Sequence, residues 1–89
     1  METIRRIVKR SVPDVTFIGL FGSRLDDRRR GGDVDLYLER PGGLSLEAQA
    51  RLLVELEEAL QLPVDLVARD PGVPPRPIEE IARSMAVPL

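Results

Sequence analysis

The sequence predicts an α+β fold: a small mixed β-sheet with helices packed on one face. Three observations lead there. Short apolar or alternating runs read as strands, stretches with apolar residues three and four apart read as helices, and the two kinds occur in the order helix, strand, strand, helix, strand, helix. At 89 residues the chain predicts one small domain spanning 1–89, with a modest core.

Each element has its own local reason. From Thr3 to Ser11, Ile4, Ile7 and Val8 make an apolar stripe between basic residues, and Pro13 closes this first helix. Val15 to Phe21 (VTFIGLF) is an apolar run rich in β-branched and aromatic residues, too short for a helix, and reads as a buried central strand. It ends at Gly22-Ser23, and the polar stretch up to Gly31-Gly32 reads as an exposed connection. Asp33 to Glu39 alternates, with Val34, Leu36 and Leu38 on one face and Asp33, Asp35, Tyr37 and Glu39 on the other, as a half-buried strand does. Tyr37 then reads as a packing residue at the rim of the sheet.

Pro41-Gly42-Gly43 breaks that strand, and Ser45 is placed to cap a second helix whose Glu47 favours the positive end of the helix dipole. Leu46, Ala50, Leu53, Leu56 or Glu57, and Leu60 form its apolar stripe. Pro63 precedes a third strand, Val64 to Ala68. Prolines 71, 74, 75 and 77 read as a rigid surface link to a final helix at about Ile78 to Met85.

Composition removes whole classes of chemistry. The chain has no cysteine and no histidine, which excludes disulfides, thiolate metal sites, cysteine nucleophiles and histidine-based acid–base catalysis. Any metal must be hard and oxygen-bound. Hydrophobic residues make up 43% and charged ones 31%, as in a soluble globular protein. A net charge of −2 argues against broad binding to nucleic acid. The charged N-terminus is neither a signal peptide nor a membrane span, so a cytoplasmic location without membrane association is expected.

Against this background three carboxylates stand out, Asp33 and Asp35 on the second strand and Asp65 on the third. Acidic residues are depleted in strands and costly to bury unpaired. Two carboxylates on one strand face also repel unless a cation lies between them, so this face invites a divalent metal. The plain alternative is a solvated strand face with Asp65 as an edge charge that discourages aggregation. A calcium-hand loop fails because Tyr37 and Leu38 stand where a ligand and a glycine are needed, and GLFGSR lacks the lysine of a phosphate-binding P-loop.

The segment LFGSRLDDRRRGGDVDLYLE, with Asp65 thirty residues beyond Asp35, resembles the signature of the minimal nucleotidyltransferases of the DNA polymerase β-like superfamily. That signature is a strand, Gly-Ser, a spacer, Asp-x-Asp on the next strand, and a third Asp on a later strand. The resemblance covers most of the chain. It implies the polymerase β-like nucleotidyltransferase fold and transfer of a nucleoside monophosphate from ATP or another nucleoside triphosphate. It also implies two magnesium ions, or manganese, as cofactors. By the same resemblance Asp33, Asp35 and Asp65 are catalytic residues and metal ligands, and Gly22, Ser23 and Arg24 bind the nucleotide. Members often carry a glycine four residues after the serine, where this chain has Asp27, so the turn falls to Gly31-Gly32. Arg28, Arg29 and Arg30 read either as a phosphate or partner contact or as a solvated run balanced by Asp26 and Asp27.

Only about twenty residues follow the third strand, so no acceptor domain is visible. Minimal members of the family resemble antitoxins paired with helical HEPN-type proteins, some of which receive AMP on a tyrosine. The resemblance therefore implies an antitoxin that is a protein adenylyltransferase. A catalytically silent module that neutralises such a partner by binding is the alternative, and a small-molecule nucleotidyltransferase is a third. The C-terminal apolar residues Ile78, Ile81, Ala82, Met85, Val87 and Leu89 predict either a partner or homo-oligomer surface or completion of the core.

Overall fold

The computed structural model describes residues 2–21 and 34–89. Within them lie helix α1 (Glu2–Ser11), strands β1 (Phe17–Leu20) and β2 (Val34–Glu39), helix α2 (Leu46–Leu60), strand β3 (Val64–Arg69), helix α3 (Pro77–Met85) and the short strand β4 (Val87–Pro88). The sheet order is β3-β2-β1-β4. β1 is antiparallel to β2 and to β4, whereas β2 and β3 run parallel, so the sheet is mixed as expected. The connection between β2 and β3 is helical, as a parallel pair requires.

One sheet face is built from Ile18, Leu20, Val34, Leu36, Leu38 and Val64. It is buried with Ile4, Ile7, Val8 and Val12 from α1 and its exit, and with Leu52 and Leu56 of α2. The expected stripe of α2 holds in its C-terminal half, where Leu56 is buried and Leu53 and Leu60 pack against the core. It shifts in the N-terminal half, where Leu52 is buried while Ala50 is exposed and Leu46 is 84% exposed. Ser45 caps α2 by accepting from the Ala48 N–H at 3.1 Å. At the other end Gln61 adopts a left-handed conformation with φ 57°, and its N–H returns to the Glu57 carbonyl at 2.8 Å.

Helices on one face describe α1 and α2; α3 lies over the other face. There Tyr37 is fully buried rather than at the rim, with its ring edge-on to Phe17 at 5.9 Å between centroids. The sequence order also omits β4. This strand adds to the edge of β1, and the Leu89 N–H donates to the Ile18 carbonyl at 3.0 Å. Of the C-terminal apolar residues, Ala82 is buried and Leu89 packs against the core. Ile78, Ile81, Met85 and Val87 stay about half exposed.

Candidate functional site

Strand alternation sorts the face under α3 into three rows. Phe21, Asp35 and Asp65 form the first, Gly19, Tyr37 and Val67 the second, and Phe17, Glu39 and Arg69 the third. Asp35 and Asp65 are direct partners in the parallel ladder, on strands about 4.8 Å apart. Asp35 is half-buried and Asp65 exposed.

The pairing has local causes. The Val34 N–H donates to the Pro63 carbonyl at 2.9 Å, which sets the start of β2 against the start of β3. The Val64 N–H donates to Glu57 Oε2 at 2.9 Å, tying the end of α2 to the residue before Asp65. On the other side the Phe21 N–H donates to the Asp35 carbonyl at 2.9 Å, carrying the β1 pairing up to the acidic row. Two acidic side chains in adjacent register form a hard-oxygen donor set, which suits a hard divalent cation better than a softer one. Among the described residues no group of three or more metal-ligating side chains is present. Asp33, Gly22, Ser23, Arg24 and the run Arg28 to Arg30 lie outside the described residues.

The opposite row is closed. Glu39 Oε2 accepts the Tyr37 hydroxyl at 2.6 Å and lies 3.4 Å from Arg69 Nη1 and 3.5 Å from Arg83 Nε of α3. Burial pushes the Tyr37 hydroxyl above its ordinary pKa, and the hydrogen bond to Glu39 adds to the rise. Glu79 of α3 accepts the Arg76 N–H at 2.9 Å, which holds its carboxyl below the usual carboxylate range despite burial. This network was not read from the sequence. Its signal is the tripeptide Val-Asp-Leu, which occurs at both 34–36 and 64–66 and, aligned, sets Glu39 opposite Arg69.

A cavity of about 500 Å³ opens beyond the other end of the sheet, lined by Ser11, Asp14, Arg40, Arg51 and Glu55 among others. Its arginines are already engaged: Arg40 Nε meets Asp14 at 2.9 Å, and Arg51 meets Glu47 at 2.9 Å. Arg10 at its margin pairs with Glu55. The described part of the acidic row is therefore the better candidate for chemistry.

Comparison with known proteins decides the family. The nucleotidyltransferase domain model matches residues 1–87. The chain belongs to this nucleotidyltransferase family. A solved structure assigned to the minimal nucleotidyltransferases is 30% identical, with 99% of this chain and 87% of that one covered and a TM-score of 0.72. A toxin–antitoxin structure with AMP-PNP shares the fold at 24% identity and TM-score 0.82, covering 98% of this chain and 69% of that one. A tri-AMPylated Shewanella oneidensis HEPN toxin in complex with MNT antitoxin does so at 23% identity and TM-score 0.76, covering 98% and 66%. This nucleotidyltransferase chain spans 53% of the matched chain in an MntA–HpeT toxin–antitoxin structure. None of the curated protein sequences matches it. Among the described residues no helix is long and apolar enough to cross a membrane.

Proposed function

We propose that the chain is an antitoxin that transfers AMP from ATP to a hydroxyl group, a tyrosine of a helical HEPN-type partner, in a reaction dependent on magnesium or manganese. The observation that carries this reading is the in-register pair Asp35 and Asp65 on two neighbouring strands of a nucleotidyltransferase sheet. The structural neighbours, one with AMP-PNP and one an AMPylated HEPN toxin with its MNT antitoxin, support the nucleotide and the partner.

Divalent ions, when bound, neutralise the triphosphate and make its α-phosphorus open to in-line attack. Asp35, with Asp33 two residues before it, would hold the ions, and Asp65 would serve as a third ligand. Asp65 takes up the proton as the hydroxyl attacks. The acceptor oxygen bonds to the α-phosphorus, the bond to the bridging oxygen of the β-phosphate breaks, and pyrophosphate leaves. Gly22 admits the triphosphate close to the backbone, Ser23 donates to a phosphate oxygen, and Arg24 neutralises it.

Intact-mass spectrometry of the chain with its HEPN-type partner, ATP and magnesium tests the proposal. Each transferred AMP adds about 329 Da and leaves a phosphodiester charge where a hydroxyl had been. A stable complex without a mass change, under conditions where Mg-ATP binds, leaves a binding module that neutralises its partner without catalysis.

A further inference from the structure

Helix α3 crosses the Asp35 face with two unlike sides. Arg83 points to Glu39, and Glu79 lies within electrostatic reach of Arg69, so this side of the helix faces the third row. Ala82 is buried toward the sheet, and beyond the helix end Ala86 lies against Gly19 in the second row, where an added Cβ would come within 3.1 Å of its own. By the 3.6-residue repeat, Ile78 and Met85 then flank the opposite side, toward the row of Phe21, Asp35 and Asp65, with Ile81 beside them and further out. These three aliphatic side chains are 50%, 45% and 55% exposed, respectively. Their span of seven residues is about 10 Å along the helix, the scale of a purine.

We propose that the row Ile78, Ile81 and Met85, facing Phe21, is the wall against which the base of the nucleotide lies while its phosphates address Asp35 and Asp65. Two features of the site favour a small flat ring over a protein. The row borders the acidic pair, so a ligand whose phosphates sit there has its base within reach of α3. Three half-exposed side chains also fall well short of the roughly 800 Å² per partner that a stable protein interface buries. An aliphatic wall carries no donor or acceptor for base edges, so it selects for a ring and discriminates weakly among bases.

The inference rests on the proposed nucleotidyltransferase reading, and calorimetry separates the two. The full chain is titrated in magnesium with ATP, GTP and inorganic tripolyphosphate, beside the variant carrying Ile78→Gln, Ile81→Gln and Met85→Gln. Glutamine keeps helix propensity on an exposed face, and a Val73→Gln control alters an exposed apolar residue outside the row. The triple variant is expected to bind ATP and GTP roughly tenfold more weakly and tripolyphosphate as the parent does. Equal ATP binding by parent and triple variant overturns the wall. So does an equal loss for ATP and tripolyphosphate, or loss of HEPN-partner binding alone, which would make the row a protein contact. If the parent binds neither ATP nor tripolyphosphate, the nucleotidyltransferase reading itself falls and the wall with it.

Discussion

Tyr37 donates its hydroxyl to Glu39 Oε2 at 2.6 Å, two residues along the same strand, and the oxygen that receives it also faces Arg69 and Arg83. Glu39 thus gathers β2, β3 and α3 at one half-buried carboxylate. Arg69 is only 7% exposed, and among the described residues its Nε has no hydrogen-bond partner. Removing the carboxylate would leave a buried guanidinium with still less compensation. Glu39→Ala is therefore expected to cost about 3 kcal/mol or more in urea unfolding, and Tyr37→Phe about 1 kcal/mol. A smaller loss for Glu39→Ala than for Tyr37→Phe would show that Arg69 finds solvent instead.

Glu79 gives the fold a defined acid sensitivity. Its folded pKa lies below the usual value of 4.5, first because the Arg76 N–H binds the carboxylate. A group with a depressed folded pKa adds stability above its unfolded pKa and loses it as pH falls through the folded one. Glu79→Gln is accordingly expected to be less stable than the parent by about 1–2 kcal/mol at pH 7. The gap should shrink as pH falls below about 4.5, where the carboxylate of the unfolded chain begins to protonate while the folded one stays ionised. Thermal melts of both proteins from pH 3 to 7 check this, and a gap that stays constant contradicts it.

Gly19 is required by close approach. A Cβ there would stand 2.8 Å from Phe17 Cε1, 3.1 Å from Ala86 Cβ and 3.1 Å from the Val87 carbonyl oxygen. The Phe17 ring can turn aside, whereas Val87 is held to β1 by the ladder. Gly19→Ala should cost about 1–3 kcal/mol by crowding and should release β4 first. Hydrogen exchange reads this at the Leu89 amide, which is bonded to Ile18. Exchange there should accelerate more than at the Leu38 amide in the β-ladder.

The helices α1, α2 and α3 and the strands β1 to β3 were legible because each carries its own signal: the stripe at Ile4, Ile7 and Val8, the Ser45 cap, and the VDL strands. The strand positions of Asp35 and Asp65 were legible in the same way, Asp65 standing inside an apolar run, whereas their pairing follows from the parallel register of β2 and β3. What escaped depends on tertiary partners. β4 is two residues long and exists only because β1 offers an edge at Gly19 and Leu20. Tyr37 read as a rim residue because strand alternation grouped it with acidic neighbours. Only α3, folding back from the proline link, makes that face an interior. The α2 stripe was read correctly at Leu53, Leu56 and Leu60 but missed Leu52 and wrongly included Leu46 for a similar reason: many leucines on one helix leave the facing direction to the sheet.

The two ladder carboxylates should fail in different ways when neutralised. If Asp35 holds the metal at the phosphates, Asp35→Asn removes a ligand of the bound nucleotide. The rise in melting temperature that the parent shows with magnesium and ATP should then be largely lost, since that rise reports binding by mass action. Asp65 stands on the outer strand of the pair and is exposed, on the acceptor side of the proposed arrangement. Its carboxylate acts most when the hydroxyl is losing its proton. Asp65→Asn is therefore expected to keep most of the nucleotide-dependent stabilisation while the rate of AMP transfer, followed by mass of the partner, falls about a hundredfold or more. A loss of rate matched by an equal loss of nucleotide affinity would place Asp65 among the nucleotide-binding ligands and remove it as the proton acceptor.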